Sequence, residues 1–147
     1  MSRRHDPWSS KQSGLSMLEV LVTILIMSVG LLGLAGLTAA SMRNNHGAYH
    51  RTQAVWLAYD ITDRMRANRA VAMAGGYNLA LSAPAPAGVA VNQQDLQQWV
   101  ARLGGLPNGT GSVNVAADGA LTIIVQWDDT RASGGAVAQQ FQMDTRL

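Results

Sequence analysis

Cysteine is absent from the 147 residues, which excludes a disulfide scaffold, an iron–sulfur site, a zinc ribbon and a thiol nucleophile. Charge is also scarce: only 14% of the residues are charged, and the formal net charge is +2. So small a surplus gives no reason to expect a nucleic-acid partner. The length limits the chain to one domain, or to one small domain with an appendage.

The basic surplus lies at one end of the chain. Residues 1–14 contain Arg3, Arg4 and Lys11 against one acid, Asp6, and the rest of the chain has eight basic and eight acidic residues. A short basic leader of this kind is typical of a targeting segment and stands outside the fold.

Residues 20–40 form a run of 21 residues without a formal charge. As a helix the run is roughly 30 Å long, which matches the hydrocarbon core of a bilayer. Three cations precede the run, against Arg43 and Arg51 after it, so the charges favour a cytoplasmic N-terminus and a body outside the cytoplasm. We expect inner-membrane lipid to surround the apolar residues Val20, Leu21, Val22, Ile24, Leu25, Ile26, Leu31, Leu32 and Leu34.

Two features of this run leave alternatives open. Gly30, Gly33 and Gly36 recur every three residues, either as ordinary membrane composition or as points where another backbone approaches closely. The small residues at 38–40 also resemble an ordinary signal-peptidase site. However, the apolar regions of such signals are 7–15 residues long, which is shorter than this run.

Glu19 is the one charged residue between positions 15 and 42. A carboxylate at the edge of a membrane helix either reaches the interface at small cost or pairs with a cation. Its surroundings, Gly14-Leu15-Ser16-Met17-Leu18-Glu19-Val20-Leu21-Val22, resemble the type IV prepilin signature. That signature is a basic leader ending in Gly, with Glu fifth after the cut, followed by an apolar helix.

The resemblance implies that prepilin peptidase cuts between Gly14 and Leu15 and methylates the new amino terminus of Leu15. Gly14 has no side chain to obstruct the protease. Leu15 departs from the family, which most often has Phe there. The resemblance also implies that Glu19 pairs with the free N-terminus of a neighbouring subunit, which offsets the cost of an isolated carboxylate in a medium of low dielectric constant.

Further residues of interest are 28–37, 42–45, 48–49, 58–68 and the pair Trp127-Asp128. Together they resemble PilV-type minor pilins. The resemblance implies a non-catalytic subunit that assembles with other minor pilins and the major pilin, first in the inner membrane and then in the pilus. A minor pseudopilin of a type II secretion system has the same N-terminal pattern, and a signal-anchored periplasmic protein is a further alternative.

The body predicts an α+β fold of the pilin kind, with a long N-terminal helix on a small antiparallel sheet. Apolar residues recur at helical spacing at Ala54, Leu57, Ile61 and Met65, so we expect one helix from about 16 to about 73, softened at Gly47. The expected segments are a leader (1–14), an assembly helix (15–42), an amphipathic half-helix (43–75) and a globular domain (76–147).

Within the globular domain, residues 76–91 indicate a loop. A capping box at 92–95 predicts a short helix that ends at Gly104. Strands over 112–116 and 121–127, joined by an Asp118-Gly119 turn, predict a hairpin. A third strand is expected over 137–144, with Val137, Gln139, Phe141 and Met143 on one face.

Catalytic, metal and cofactor sites are not expected. His46 and His50 are one helical turn apart but lack obvious further ligands. Asp128 and Asp129 are better explained as the end of a strand and the start of a turn. We expect Arg64, Arg66 and Arg69 to pair with the nearby Asp60 and Asp63 along the helix rather than with DNA phosphates.

Overall fold

A computed structural model describes residues 16–132 and 134–147. Three helices precede three strands: α1 (Met17–Ala67), α2 (Arg69–Met73), α3 (Val91–Leu103), β1 (Thr110–Val115), β2 (Ala120–Trp127) and β3 (Gln139–Arg146). The strands form one antiparallel sheet in the order β1-β2-β3. The predicted α+β class, with a long N-terminal helix and a three-stranded meander, is confirmed.

The chain divides into two units, one ending at Ala39 and the other spanning Ala40–Leu147. In the described part of the first unit every residue is exposed. All of the buried core lies in the second unit.

The core of the second unit combines the predicted face of α1 with α3 and the sheet. Ala54, Leu57, Ile61 and Met65 are all buried, as their helical spacing predicts. Alternate residues of β2 face the same core, while Phe141 and Met143 of β3 cover its edge. The buried strand residues are Val113, Val115, Leu121, Ile123, Val125 and Trp127.

Trp99 fixes α3 against both α1 and the sheet. Its side chain has no exposed surface, and its indole N–H donates to the carbonyl of Leu57 at 2.9 Å. On the other side lies Gly111 of β1, where a Cβ atom would stand 2.5 Å from Cη2 of Trp99 and 2.9 Å from Cδ1 of Leu103. A side chain at position 111 is therefore incompatible with the present position of α3.

The hairpin turn follows the predicted Asp-Gly chemistry. Gly119 has a φ of +82°, which glycine adopts without a Cβ penalty. Asp118 accepts a hydrogen bond from the Ala120 N–H at 3.0 Å, and this bond is the main reason why the pKa of its carboxyl lies below its ordinary value.

Four local predictions need correction. The helix predicted to run to about 73 is interrupted at Asn68, whose backbone leaves the helical region at φ −119° and ψ 47° and whose side chain donates to the Tyr77 hydroxyl. The helix α3 begins at Val91 with Ala90 as its N-cap, two residues before the predicted N-cap Asn92: Gln93 accepts from the N–H of Ala90, and Asn92 donates to the Gly76 carbonyl.

The other two corrections concern the start of β3 and Gly47, which both adjoin the loop after β2. The strand β3 begins at Gln139, so Val137 lies outside it and is exposed, although Gln139, Phe141 and Met143 do share a face. Gly47 does not interrupt α1. Instead it lets this loop approach, because a Cβ there would lie 3.0 Å from Cβ of Ala132.

Candidate processing and assembly site

The start of α1 holds the only described part of the predicted processing motif. The helix begins at Met17, and the hydroxyl of Ser16 accepts from the N–H of Leu18 at 3.2 Å. Glu19 lies in the first turn, where the positive end of the helix dipole favours a carboxylate. Gly14 and Leu15, the predicted cleavage and methylation positions, lie outside the described residues.

Glu19 is exposed, and its carboxylate has no ion-pair partner between residues 16 and 147 as far as the structure describes them. The three hydroxyl residues of the run 20–40 are satisfied within the helix. The hydroxyls of Thr23, Ser28 and Thr38 donate to carbonyls three or four residues earlier, at 2.6 to 3.1 Å. Such bonds let a hydroxyl enter an apolar medium at little cost, so Glu19 differs from the other polar groups of this segment.

The remainder of the segment is long and apolar enough to cross a membrane, by length and composition. The nine residues predicted to face lipid, from Val20 to Leu34, are all on α1 and all exposed. Cβ atoms added at Gly30, Gly33 and Gly36 would meet nothing within 4 Å. No described contact within the chain therefore requires glycine there, although glycine weakens a helix by about 1 kcal/mol per residue.

The second half of α1 has an exposed aromatic stripe, formed by Tyr49, Trp56 and Tyr59. Their positions follow a spacing of seven and three residues, which places them on one side of the helix. Trp56 is 73% exposed, whereas the buried face of the same helix turns is fully covered. The helical spacing indicated aromatic bulk around the helix, but it did not show that the sheet leaves all three uncovered.

Arg64 and Arg66 form ion pairs along α1, as predicted, whereas Arg69 donates to the carbonyl of Leu147 at 3.3 Å and pairs with neither aspartate. Arg64 lies 3.3 Å from Asp60, and Arg66 lies 3.3 Å from Asp63. Arg64 also reaches Asp95 of α3 at 3.0 Å, a contact between helices that the spacing along α1 did not reveal. Burial opposes the charge of Arg64, but the hydrogen bond with Asp95 and the charge of Asp60 outweigh it, so the pKa of the guanidinium lies above its ordinary value.

Tyr77 completes this polar cluster. Its hydroxyl donates to Asp95 at 2.6 Å and accepts from the Asn68 side chain at 3.2 Å. Burial, assisted by the bond to Asp95, raises the pKa of Tyr77 to about 12. A neutral, immobilised phenol among paired charges holds α1 and α3 together.

The other candidate catalytic and metal-binding residues lie near the turn after β2. They are Asp128, Asp129, His46 and His50. Asp128 accepts from the N–H and hydroxyl of Thr130, which together hold the pKa of its carboxyl below its ordinary value and close the turn after β2. His46 and His50 line a surface cavity together with Asp128 and Asp129. Among the residues that the structure describes, no group of three such side chains is arranged to hold a metal ion.

Comparison with known protein families finds a match at the N-terminus of the chain. Residues 9–35 match the family described as "Prokaryotic N-terminal methylation motif". No curated protein and no solved structure matches the chain. The matched segment includes the basic Lys11, Gly14, Glu19 and the first part of the apolar helix.

The methylation motif implies processing by prepilin peptidase, and the apolar helix that follows is consistent with anchoring in the inner membrane and with pilus assembly. In this chain the motif is followed by a long N-terminal helix and a three-stranded antiparallel sheet, a pilin-like α+β arrangement. Over residues 9–35 the chain is thus similar to the prepilins that carry an N-terminal methylation motif.

Proposed function

We propose that the chain is a PilV-like minor pilin that takes part in the assembly or initiation of a type IV pilus. Prepilin peptidase removes residues 1–14 after Gly14 and methylates Leu15, and residues 15–42 become the assembly helix. The amphipathic half-helix (43–75) and the globular domain (76–147) then face outward. The observation that carries the proposal is Glu19, placed in the first turn of an exposed apolar helix within a methylation motif.

The pairing of Glu19 with a neighbour's amino terminus follows from elementary electrostatics. Cleavage creates a cationic amine four residues before Glu19, about 6 Å along a helix. A carboxylate in the membrane region costs up to about 3 kcal/mol on the insertion scale, and a partner ammonium offsets this cost. Because the other polar side chains of the segment already bond within the helix, Glu19 is the group that gains from a partner.

Contacts with sibling pilins are supported by what the chain leaves open. The three helix glycines have free space around them, and close packing of a second helix gives such positions a purpose. The exposed aromatic stripe extends the uncovered surface into the second half of α1. Large exposed aromatics of this kind are typical of protein interfaces. The proposed partners are therefore other minor pilins and the major pilin.

The first test is the mass of the mature protein, measured on material from membranes and from sheared filaments. We expect an N-terminus at Leu15 carrying one methyl group. A chain that keeps its arginine-bearing leader in assembled filaments would overturn the proposal, and a chain that keeps the leader and is found only in membranes would favour a signal-anchored periplasmic protein.

The second test is Glu19→Ala, with Thr23→Ala as a control that shortens a neighbouring polar side chain without removing charge. We expect normal processing of both variants but markedly lower recovery of Glu19→Ala in sheared filaments. Normal recovery would refute the pairing argument. Deletion of the gene tests the system: loss of twitching supports a pilus, whereas loss of protein secretion would assign the chain to a type II pseudopilus.

A further inference from the structure

A cleft of about 300 Å³ lies between α1 and the loop that connects β2 to β3. Its walls come from two turns of α1, from the end of β2 and from the connecting loop. The polar residues among its lining are Asn44, Arg51, Trp127, Asp129 and Gln139. Asn44 follows the last residue of the uncharged run by four positions, so by chain connectivity these turns of α1 come directly after the membrane segment.

Two opposite charges face this cleft without pairing. Arg51 forms no ion pair or side-chain hydrogen bond with any residue that the structure describes, and the same holds for the carboxylate of Asp129. Among the other described arginines of the second unit, Arg64, Arg66, Arg102 and Arg146 pair with carboxylates, whereas Arg43, Arg69 and Arg131 form no ion pair. The cleft therefore offers one unpaired cation and one unpaired anion to a ligand.

A third group in the wall also lacks a partner. Trp127 is 1% exposed, and its indole N–H has no acceptor among the described residues. A buried donor without an acceptor costs about 1–3 kcal/mol. An acceptor group that enters the cleft and reaches this N–H recovers part of that cost.

Gly47 keeps the cleft open. A Cβ at this position would lie 3.0 Å from Cβ of Ala132 and 3.3 Å from Oδ2 of Asp129. A side chain there would occupy the space between the helix and the loop and would push against the unpaired carboxylate.

We propose that this cleft binds the headgroup of a zwitterionic phospholipid that carries a phosphate and a primary ammonium, as phosphatidylethanolamine does. The phosphate accepts hydrogen bonds from the Arg51 guanidinium and the Asn44 amide, and the ammonium donates to Asp129. If residues 20–40 cross the bilayer, the next turns of the helix lie at headgroup depth, where such a ligand is abundant.

The charges of the cleft select this chemistry over related ligands. A purely anionic headgroup would satisfy Arg51 but would bring negative charge towards Asp129. A choline headgroup carries a trimethylammonium group, which has no N–H to donate to that carboxylate. A carboxylate from a second protein would likewise leave Asp129 without a partner.

The test uses the full mature chain in detergent, mixed with equal amounts of phosphatidylethanolamine and phosphatidylcholine of matched acyl chains. Native mass spectrometry then counts the lipid molecules retained on the protein. We expect about a tenfold preference for the ethanolamine lipid, the ratio that one charge-assisted hydrogen bond supports. Equal retention of the two lipids would overturn the proposal.

Matched variants separate the two halves of the headgroup. Arg51→Gln should lower retention of both lipids, and Asp129→Asn should abolish the preference for ethanolamine while phosphate binding persists. Gly47→Ala should reduce retention of both. The controls are Arg43→Gln, an exposed arginine that does not line the cleft, and Asp63→Asn, an exposed carboxylate of α1. Cleft variants that behave like these controls would refute the site.

A last arm distinguishes the source of the ligand. Soluble phosphoethanolamine, added without lipid, should bind too weakly to be retained, because it lacks the anchoring of the acyl chains. Tight binding of that soluble compound, lost in Arg51→Gln, would overturn the assignment to a lipid. The inference depends on membrane anchoring and not on pilus assembly, so its failure would leave the mature N-terminus and filament recovery unchanged as tests of the proposed function.

Discussion

Residues 17–39 of α1 are exposed on every side, whereas residues 54–65 of the same helix bury one face against α3 and the sheet. The two stretches also use small residues differently. Ala54 and Ala58 are fully buried in the second stretch, while the three glycines of the first touch nothing. The residue types of the second stretch are thus explained by its contacts in the chain's own core. The apolar residues of the first stretch have no such contacts in the described chain and suit an apolar environment outside it.

The largest effect should come from removing a side chain that the core requires. Trp99→Ala should lower the free energy of unfolding by about 3–5 kcal/mol, because it leaves a cavity and takes the indole donor from the Leu57 carbonyl. Chemical denaturation of the full chain in detergent, followed by circular dichroism, measures this loss. Trp56→Ala is the control: it removes the same side chain from the exposed face and should cost less than about 0.5 kcal/mol. Equal losses would show that the exposed face of α1 contributes as much to stability as the buried core does.

A smaller effect should follow from filling glycine positions. Gly111→Val places a side chain where Trp99 and Leu103 already lie, so α3 must shift, at a cost of roughly 1–3 kcal/mol. Gly33→Val, the same change in the first stretch of α1, meets open space and should leave the unfolding of the second unit unaltered. The melting temperatures of the two variants, measured side by side, test the contrast. Destabilisation by Gly33→Val would contradict it.

The smallest effect is a pH dependence confined to the second unit. The pKa of Tyr77 is raised to about 12 in the folded chain, above its ordinary value near 10. Below pH 10 both the folded and the unfolded chain hold the proton, and stability is constant in this respect. Between pH 10 and 12 only the folded chain holds it, so stability falls with rising pH. Denaturation midpoints at several pH values should show this slope in the parent and not in Tyr77→Phe, and an equal slope in both would assign it elsewhere.

Much of the fold follows from local patterns. The buried face of α1 could be predicted because its apolar residues recur at helical spacing. These residues, Ala54, Leu57, Ile61 and Met65, are all buried. The hairpin could be predicted because Asp118-Gly119 supplies the required positive φ. The start of β3 could not be predicted in the same way. Val137 continues an alternating pattern, but pairing with β2 begins only at Gln139, opposite Trp127.

Contacts between residues distant in sequence could not be predicted. The pairing of Arg64 with Asp95 and the packing of Trp99 on Gly111 depend on how α3 returns to α1 and β1. The candidate processing motif is the opposite case. The spacing from Gly14 to Glu19 is evident in the sequence, whereas Gly14 and Leu15 lie outside the described structure. The cleft between Arg51 and Asp129 could not be predicted from the sequence, because its walls come from distant segments that meet only in the folded chain.

The outer edge of β1 is partly covered by the preceding loop. Leu79 exchanges two backbone hydrogen bonds with Val113, each of 2.9 Å, and the side chain of Asn78 accepts from the N–H of Val115. The opposite edge, on β3, presents outward-facing polar and charged residues. An open strand edge is a template for the addition of a strand from another chain, and the covered edge of β1 and the charged residues of β3 discourage it. Association of chains through the sheet is thereby disfavoured, whereas the apolar surface of the first half of α1 stays exposed.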